Sequence, residues 1–452
     1  MIKFALVSTA AASSYPFEAT RSSIGEIKKT IPFETIGWSY SAPGRGQDGK
    51  EKFKLPNGET VEYVFDELLT LLGDTMVVTA SPSVCETPPC HANYVLKYIK
   101  NCLSSQRCRA TNSCTLYDTD SLIMDYVFGR VVNQRGGKGI TPNVLALSEK
   151  FKWKLHDSSY SGDIPVGDGV TRTAPDFQKY LKVYFDVPEC SDSFARVIVE
   201  ERAGLSLVKL LLALGETDDI KLPAHRIRWA TTIFIKGLRL LEKIHSIGII
   251  HGDIKADNFA FASHETTIDE VLGGDKFDLV LIDFGKASFI MDDLVAAIKE
   301  PSDLSSQGLD AVFLSPWHIE GYTRHFRDDI YRIFALYVEF VSQGGYLGLL
   351  SGIPRIFGFE GKQQIARIMR NFNFVRGFDK KSFDYSSMKG PVDQETLGKK
   401  LEGFFKPQQV DEAVLKQMEE IQTIARSRFP DTKRMITAAE EVLKVLSEQK
   451  RV

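Results

Sequence analysis

The amino-acid sequence predicts an α+β protein whose strand-rich first half gives way to a helical second half, and three observations carry that expectation. Up to about residue 200, short β-branched and apolar runs such as Met76 to Thr79 and Tyr94 to Ile99 alternate with glycine, proline and polar clusters (APGRGQDGK, LPNGET, SPSVCETPPC, NQRGGKGITPN). From Leu205 onward, apolar residues recur every three to four positions, as in Ile227, Ala230, Phe234, Leu238, Leu241 and Ile244. Residues 410–449 repeat that pattern in two charged amphipathic segments. A chain of 452 residues with 43% hydrophobic and 11% aromatic side chains can bury one large core or two moderate ones.

These regimes divide the chain into an extension over 1–62, a strand-rich region over 63–203 with a cysteine-containing insertion, and a helical region over 204–452. Five of the six cysteines fall between Cys85 and Cys114, with Cys190 apart. Disulfides in an oxidising compartment and reduced thiols on a surface insertion both suit that pattern, while the spacings match no zinc module. The formal charge of -3 is spread along the chain, so nothing in it favours nucleic acid, and no apolar run reaches the roughly 18 residues of a spanning helix. Partners must therefore be argued from sites. The start, MIKFALVSTAAASS, loosely resembles a secretory signal with a short apolar core. Cytoplasm or nucleus is the expected compartment and secretion the alternative.

The most informative stretch is HGDIKADNF, residues 251–259. The helix ending LLEKIHSIG closes at Gly248, a C-cap, and the chain then runs through a loop into a strand. Further on, FDLVLIDFGKA reads as an apolar strand ending in an acid and a glycine. An aspartate on a loop, a lysine two residues later, an asparagine five later and a second aspartate at a strand end suit phosphoryl transfer. In that chemistry Asp253 accepts or orients the proton of an attacking hydroxyl and Lys255 steadies the transferring group. Asn258 and Asp283 offer the hard oxygen ligands that magnesium requires.

HGDIKADN and IDFG resemble the catalytic loop and metal-binding motif of eukaryotic protein kinases, whose usual forms are HRDxKxxN and DFG. The resemblance implies a bilobal kinase fold, with a strand-rich N-lobe over 63–203 and a helical C-lobe over 204–452. It implies an ATP- and Mg2+-dependent enzyme, and a lysine two after the catalytic aspartate resembles serine/threonine rather than tyrosine kinases. AVFLSPWHIEGYTRHFRDDIYRIF resembles the end of an activation segment, with Ser315, Pro316 and Trp317 where most kinases read APE. Casein kinase 1 and the vaccinia-related kinases also lack APE there, and carry a serine, a glycine and RDD as Ser315, Gly321, Arg327, Asp328 and Asp329 do. HGDIK is also similar to vaccinia-related and Bub-type checkpoint kinases.

The remaining parts follow from the same resemblance. YVLKYIK is similar to the strand that carries the nucleotide-anchoring lysine, which makes Lys97 the candidate. DYVFGRVVN is similar to the regulatory helix and puts Asp125 where relatives have glutamate; being one methylene shorter, it needs the helix closer. FARVIVEERAGLSL resembles a fifth strand and hinge, where the backbone of Glu200, Glu201, Arg202 and Ala203 takes the adenine edge. Gly73, twenty-four residues before Lys97, stands where the first glycine of a phosphate-covering loop belongs. GRGQDG at 44–49 fits a glycine-loop pattern by letter but lies too far upstream. The alternative class is a kinase-like scaffold or binding protein with weak or no catalysis; phosphorylation of lipids or small molecules is a third.

Gly252 stands where most kinases carry an arginine that clamps a phosphorylated activation segment. A phosphate orders a segment only where cations meet it, so activity is expected to be independent of phosphorylation at Ser288, Ser302, Ser305, Ser306 or Ser315. Phosphatase treatment, with mass spectrometry to verify bare serines, should change the transfer rate by less than about tenfold.

Overall fold

The computed structural model describes residues 51–54, 60–72, 75–82, 94–101, 118–147, 151–152, 164–166, 170–172, 194–214, 223–263, 265–273, 277–289, 315, 325–342, 373–375 and 410–449. Gly73, all six cysteines, the 44–49 glycine cluster, Pro316, Trp317 and Gly321 lie outside them. The chain divides into two compact units, Glu26–Ala203 with Ile282–Lys286, and a second containing Gly204–Leu281 and Ala287–Val452. Helices and mainly antiparallel sheets together make an α+β architecture, as the patterning predicts.

In the first unit the strands are β1 (Glu51–Lys54), β2 (Thr60–Leu72), β3 (Thr75–Pro82), β4 (Tyr94–Asn101), β5 (Val144–Leu147), β6 (Phe151–Lys152), β7 (Ile164–Val166), β8 (Val170–Arg172) and β9 (Phe194–Glu201). The sheet runs β5-β9-β4-β3-β2-β7-β8, with β1 on β2 and β6 on β9. Register slips between Phe65 and Glu67 and between Leu68 and Thr70 accommodate the length of β2 against β3, as bulges do. β4 is interior, with Lys97 opposite Val77 on one side and Ile198 on the other. Because side chains alternate, Lys97 and Val95 share one face while Leu96, fully buried, takes the other.

Helix α1 (Asp118–Val131) lies against β4 and β5 on the Lys97 face. Tyr126 packs with Val144 and Ile198 in one buried cluster. The helix runs into a wide turn, Val132–Gly136, whose Asn133 accepts from Val144 N at 3.0 Å and donates to Pro142 O at 3.3 Å. These bonds pin the helix end to β5, so the sequence separation between Asp125 and the sheet is spanned by a tied connection.

The second unit contains α2 (Leu207–Leu214), α3 (Pro223–Ser246), β10 (Ile249–Ile250), β11 (Phe259–Phe261), α4 (Ile268–Gly273), β12 (Leu279–Leu281), β13 (Ser288–Phe289), α5 (Phe326–Val341), α6 (Glu412–Ala425) and α7 (Thr432–Gln449). Every member of the predicted stripe on α3 is buried, each such Leu, Ile or Phe contributing about 1.5–3 kcal/mol over its exposed state. That stripe meets α5 and α7. Gly237 lets α3 approach Ile333 of α5, and Phe234 stacks on Tyr337 with centroids 4.8 Å apart. From Asp328 to Val341 every residue of α5 is buried, which marks it as the central helix of the unit. His325 caps it: its ring accepts from Arg327 N, and Asp328 accepts from His325 N at 2.7 Å.

Two short antiparallel pairs, β10 with β13 and β11 with β12, set the loop between them at the end of α3. Gly204 is tied to this region, its N–H donating to Phe261 O at 2.7 Å. A Cβ there would lie 2.2 Å from Ser263 O and 3.0 Å from Phe261 Cβ, and the obstructing atom is backbone. Gly204→Ala should therefore lower stability by about 1–3 kcal/mol, read as a reduced midpoint in denaturant unfolding.

Candidate functional site

The loop after α3 carries the first group of candidates. Gly248 ends the helix at φ 79 and Gly252 turns the chain again at φ 76, conformations a side chain would strain. Between these glycines and β11, the loop is held from α5 by Asp329. Its Oδ2 accepts from His251 N at 2.8 Å, and its Oδ1 accepts from Gly252 N at 2.9 Å. The ring Nε2 of His245 on α3 lies 3.0 Å from the same Oδ2, both side chains being fully buried. Burial pushes the Asp329 carboxyl up, but the bonds and charges of His245, His251 and Gly252 outweigh it and hold the carboxyl below the usual range.

This clamp fixes Asp253. Its N–H donates to His251 Nδ1 at 3.3 Å, and its buried carboxylate is approached from two sides. Asn258 Nδ2 donates to Asp253 O at 2.7 Å and to Oδ2 at 3.2 Å, with Lys255 Nζ 3.5 Å from Oδ2. Arg332 from α5 donates to Gly252 O at 2.7 Å and lies 3.5 Å from Asp253 Oδ1. A short helical turn, Ala256–Asn258, folds the asparagine back onto the aspartate. Asn258 commits its amide nitrogen to Asp253, which leaves the amide oxygen to accept a donor or a cation.

The other unit holds the remaining candidates. Lys97 Nζ lies 2.8 Å from Asp125 Oδ2 and 3.2 Å from Glu200 Oε1. The shorter acid reaches because α1 packs directly on β4. Asp125 also accepts from Phe284 N through Oδ1 at 2.7 Å, so one carboxylate joins the lysine to the chain beside Asp283. Asp283 is exposed at φ 64, the one described non-glycine residue with positive φ, and its carboxylate accepts from Gly285 N at 3.3 Å. Burial opposes the charge on Lys97, but Asp125, Glu200 and Asp283 outweigh it and raise its pKa well above the ordinary lysine value. Burial pushes Glu200 up to about 7 against the pull of Lys97.

Among the predicted positions, Asp253, Lys255 and Asn258 gather in one loop, and Lys97 and Asp125 gather with the Asp283 segment. Glu200 enters through its carboxyl, whereas its backbone pairs with Val95 and Val144 inside the sheet. Glu201 N donates to Asn143 O at 2.9 Å, and its side chain accepts from Asn143 Nδ2. Arg202 and Ala203 continue beyond β9 as irregular chain. Ser315, an expected phosphate acceptor, is fully buried and donates to Asp328, so it is not open to modification as folded. Ser302, Ser305 and Ser306 lie outside the described residues. Patterning did not single out His245, the Glu200 carboxyl or Arg332; the three-residue spacing of Asp329 and Arg332 on one helix face was the available signal for the last. Among the described residues no three His, Cys, Asp or Glu side chains gather as a metal site, and no helix is long and apolar enough to cross a membrane.

No protein-family model matches the chain. Over 170 residues it is 28% identical to CDPK-related kinase 3 of Arabidopsis thaliana, a stretch that covers 37% of this chain and 25% of that protein. The likeness is thus to a kinase, over part of each chain.

The raised Glu200 carboxyl has a consequence for stability. A folded-state pKa near 7 against an unfolded value near 4.5 means the folded protein holds more protons between those values, so this group's contribution falls as pH rises through them. The stability difference between wild type and Glu200→Gln should therefore shift against wild type from about pH 4.5 to pH 7, measured by denaturant unfolding at each pH.

Proposed function

We propose that the protein is a divergent protein serine/threonine kinase that transfers the terminal phosphoryl group of ATP to hydroxyls on protein substrates, with magnesium. The observation that carries the reading is the Asp253 carboxylate held beside Lys255 and Asn258 on a loop clamped by Asp329. Asp253 is placed to accept or orient the proton of an attacking hydroxyl, and Lys255 to offset charge on the group in transfer. Lys97, steadied by Asp125, suits a phosphate anchor. Asp283 and Asn258 carry the oxygen donors that would hold magnesium, which when bound offsets phosphate charge. The partial likeness to a plant kinase supports the same chemistry.

The finer reading is a bilobal kinase near the casein kinase 1 and vaccinia-related branch, working in the cytoplasm or nucleus. The Ser315, Arg327, Asp328 and Asp329 pattern supports the branch. Arg202 and Ala203 are the hinge positions left for the adenine edge, and Gly73 the glycine over the phosphates. One observation favours a second reading, a kinase-like scaffold with weak catalysis: Glu200 lies 3.2 Å from Lys97 and competes there with any phosphate.

Radiolabelled transfer from ATP to generic protein acceptors, with and without magnesium, separates the two readings. Asp253→Asn, Asp283→Ala and Lys97→Met should each lower the rate by about 10²–10⁴-fold with the fold retained. Magnesium-dependent nucleotide binding should weaken in Asp283→Ala and stay near wild type in Asp253→Asn. Activity of Asp253→Asn equal to wild type would remove the assignment.

A further inference from the structure

Helix α5 buries a guanidinium that packing does not call for. Arg332 is 4% exposed, between Tyr331 and Ile333 in a helix whose residues are buried from Asp328 onward. Taking such a charge out of water costs several kcal/mol, and an apolar residue of similar volume is commonly as stable or more so. The two acids near the start of α5 have a local use: Asp328 caps the helix and binds Ser315, and Asp329 holds the loop N–H groups. Arg332 reaches the same loop one turn later. Its Nη1 donates to Gly252 O at 2.7 Å and stands 3.5 Å from Asp253 Oδ1, while its Nε has no hydrogen-bond partner among the described residues.

We infer that Arg332 is a positioning residue for Asp253, holding the carbonyl of the preceding Gly252 from α5 and facing the carboxylate with a positive charge. The inference rests on the phosphotransfer reading for the role of Asp253 and adds a residue to it. Gly252 sits at φ 76, where any side chain is strained, so a loop arginine at this position would disturb the turn that exposes both N–H groups to Asp329. A cation one helical turn beyond Asp329 leaves the turn intact. Asp329 takes the donors of the loop, Arg332 takes the acceptor of the same peptide, and the two residues share one face of α5.

At 3.5 Å the contact with Asp253 is long for a hydrogen bond, so its effect on the carboxylate is electrostatic, while the Gly252 carbonyl bond sets position. Other groups facing Asp253 among the described residues include Lys255 at 3.5 Å, Asn258 at 3.2 Å and the ring of His251 at 3.3 Å from its N–H. With Lys255 on Oδ2 and Arg332 on Oδ1, each carboxylate oxygen has its own cation. Being buried, Arg332 serves this loop and not a phosphate on an exposed segment.

The test compares R332M, R332K and D253N/R332M with wild type in phosphate transfer to a generic protein acceptor, folding being verified by circular dichroism and thermal melting. R332M should lower kcat by about 10²-fold with the nucleotide KM within about threefold. R332K should recover at least about tenfold of the lost rate, and R332M should add little to D253N, since the residue acts through that carboxylate. A kcat within threefold of wild type, or losses that multiply in the double variant, would overturn the inference. If R332M does not fold, R332Q and R332K decide: a rate in R332K at least about tenfold above that in R332Q supports it, and a smaller difference overturns it. If wild type transfers no phosphate, the kinase reading falls separately. Hydrogen–deuterium exchange of the backbone amides of residues 251–255 then replaces the rate: faster exchange in R332M supports the positioning role, and equal protection in wild type and R332M overturns it.

Discussion

Asp329 is the constraint on which the loop depends. A carboxylate with no solvent exposure is tolerable only if its oxygens are fully used, and here Oδ2 meets His251 N and His245 while Oδ1 meets Gly252 N. Removing one partner from such an arrangement typically costs about 3–5 kcal/mol, because the groups left behind stay buried and unmatched. The clamp joins the end of α3 and the loop that follows it to the first turn of α5, 78 residues beyond His251. Its position in the core of the helical unit makes the loop as rigid as the packing of α3 on α5. Asp253, Lys255 and Asn258 sit on the loop held in this way.

The sheet unit solves a related problem differently. Lys97 lies on an interior strand, and its charge is stabilised by two carboxyls, from α1 and from β9. Asp125 does double service, since its second oxygen takes the Phe284 N–H and so ties the Asp283 segment to the same centre. Two acids around one lysine, with a third nearby, cannot all ionise without cost, and burial pushes the Glu200 carboxyl up. Glu200 thus holds the lysine in place from β9 while Asp125 holds it from α1.

Local patterning determined much of the architecture. The stripe from Ile227 to Ile244 makes α3 and its buried face, because a period near 3.6 leaves no other element able to hide those side chains. The run YVLKYIK makes a strand, Gly248 ends α3 in the left-handed region, and residues 410–449 form two helices divided near Pro430. The spacing within HGDIKADN also determined that an acid, a base and an amide would meet, since a loop that short cannot separate them.

Only the tertiary structure decided what surrounds those groups. That Asp125 reaches Lys97 depends on how closely α1 sits on β4, a packing distance that no spacing along the chain encodes. That Glu200 turns its carboxyl to the same lysine depends on the register of β9 against β4, where a shift of one residue would send it to the other face. That Arg332 meets Gly252 and Asp253 depends on the crossing of α5 beneath a loop about eighty residues earlier. Periodicity reads one element at a time, and contacts across so many residues are set by how elements pack, which is why the sequence alone does not name the partners of Glu200 and Arg332 or fix the reach of Asp125.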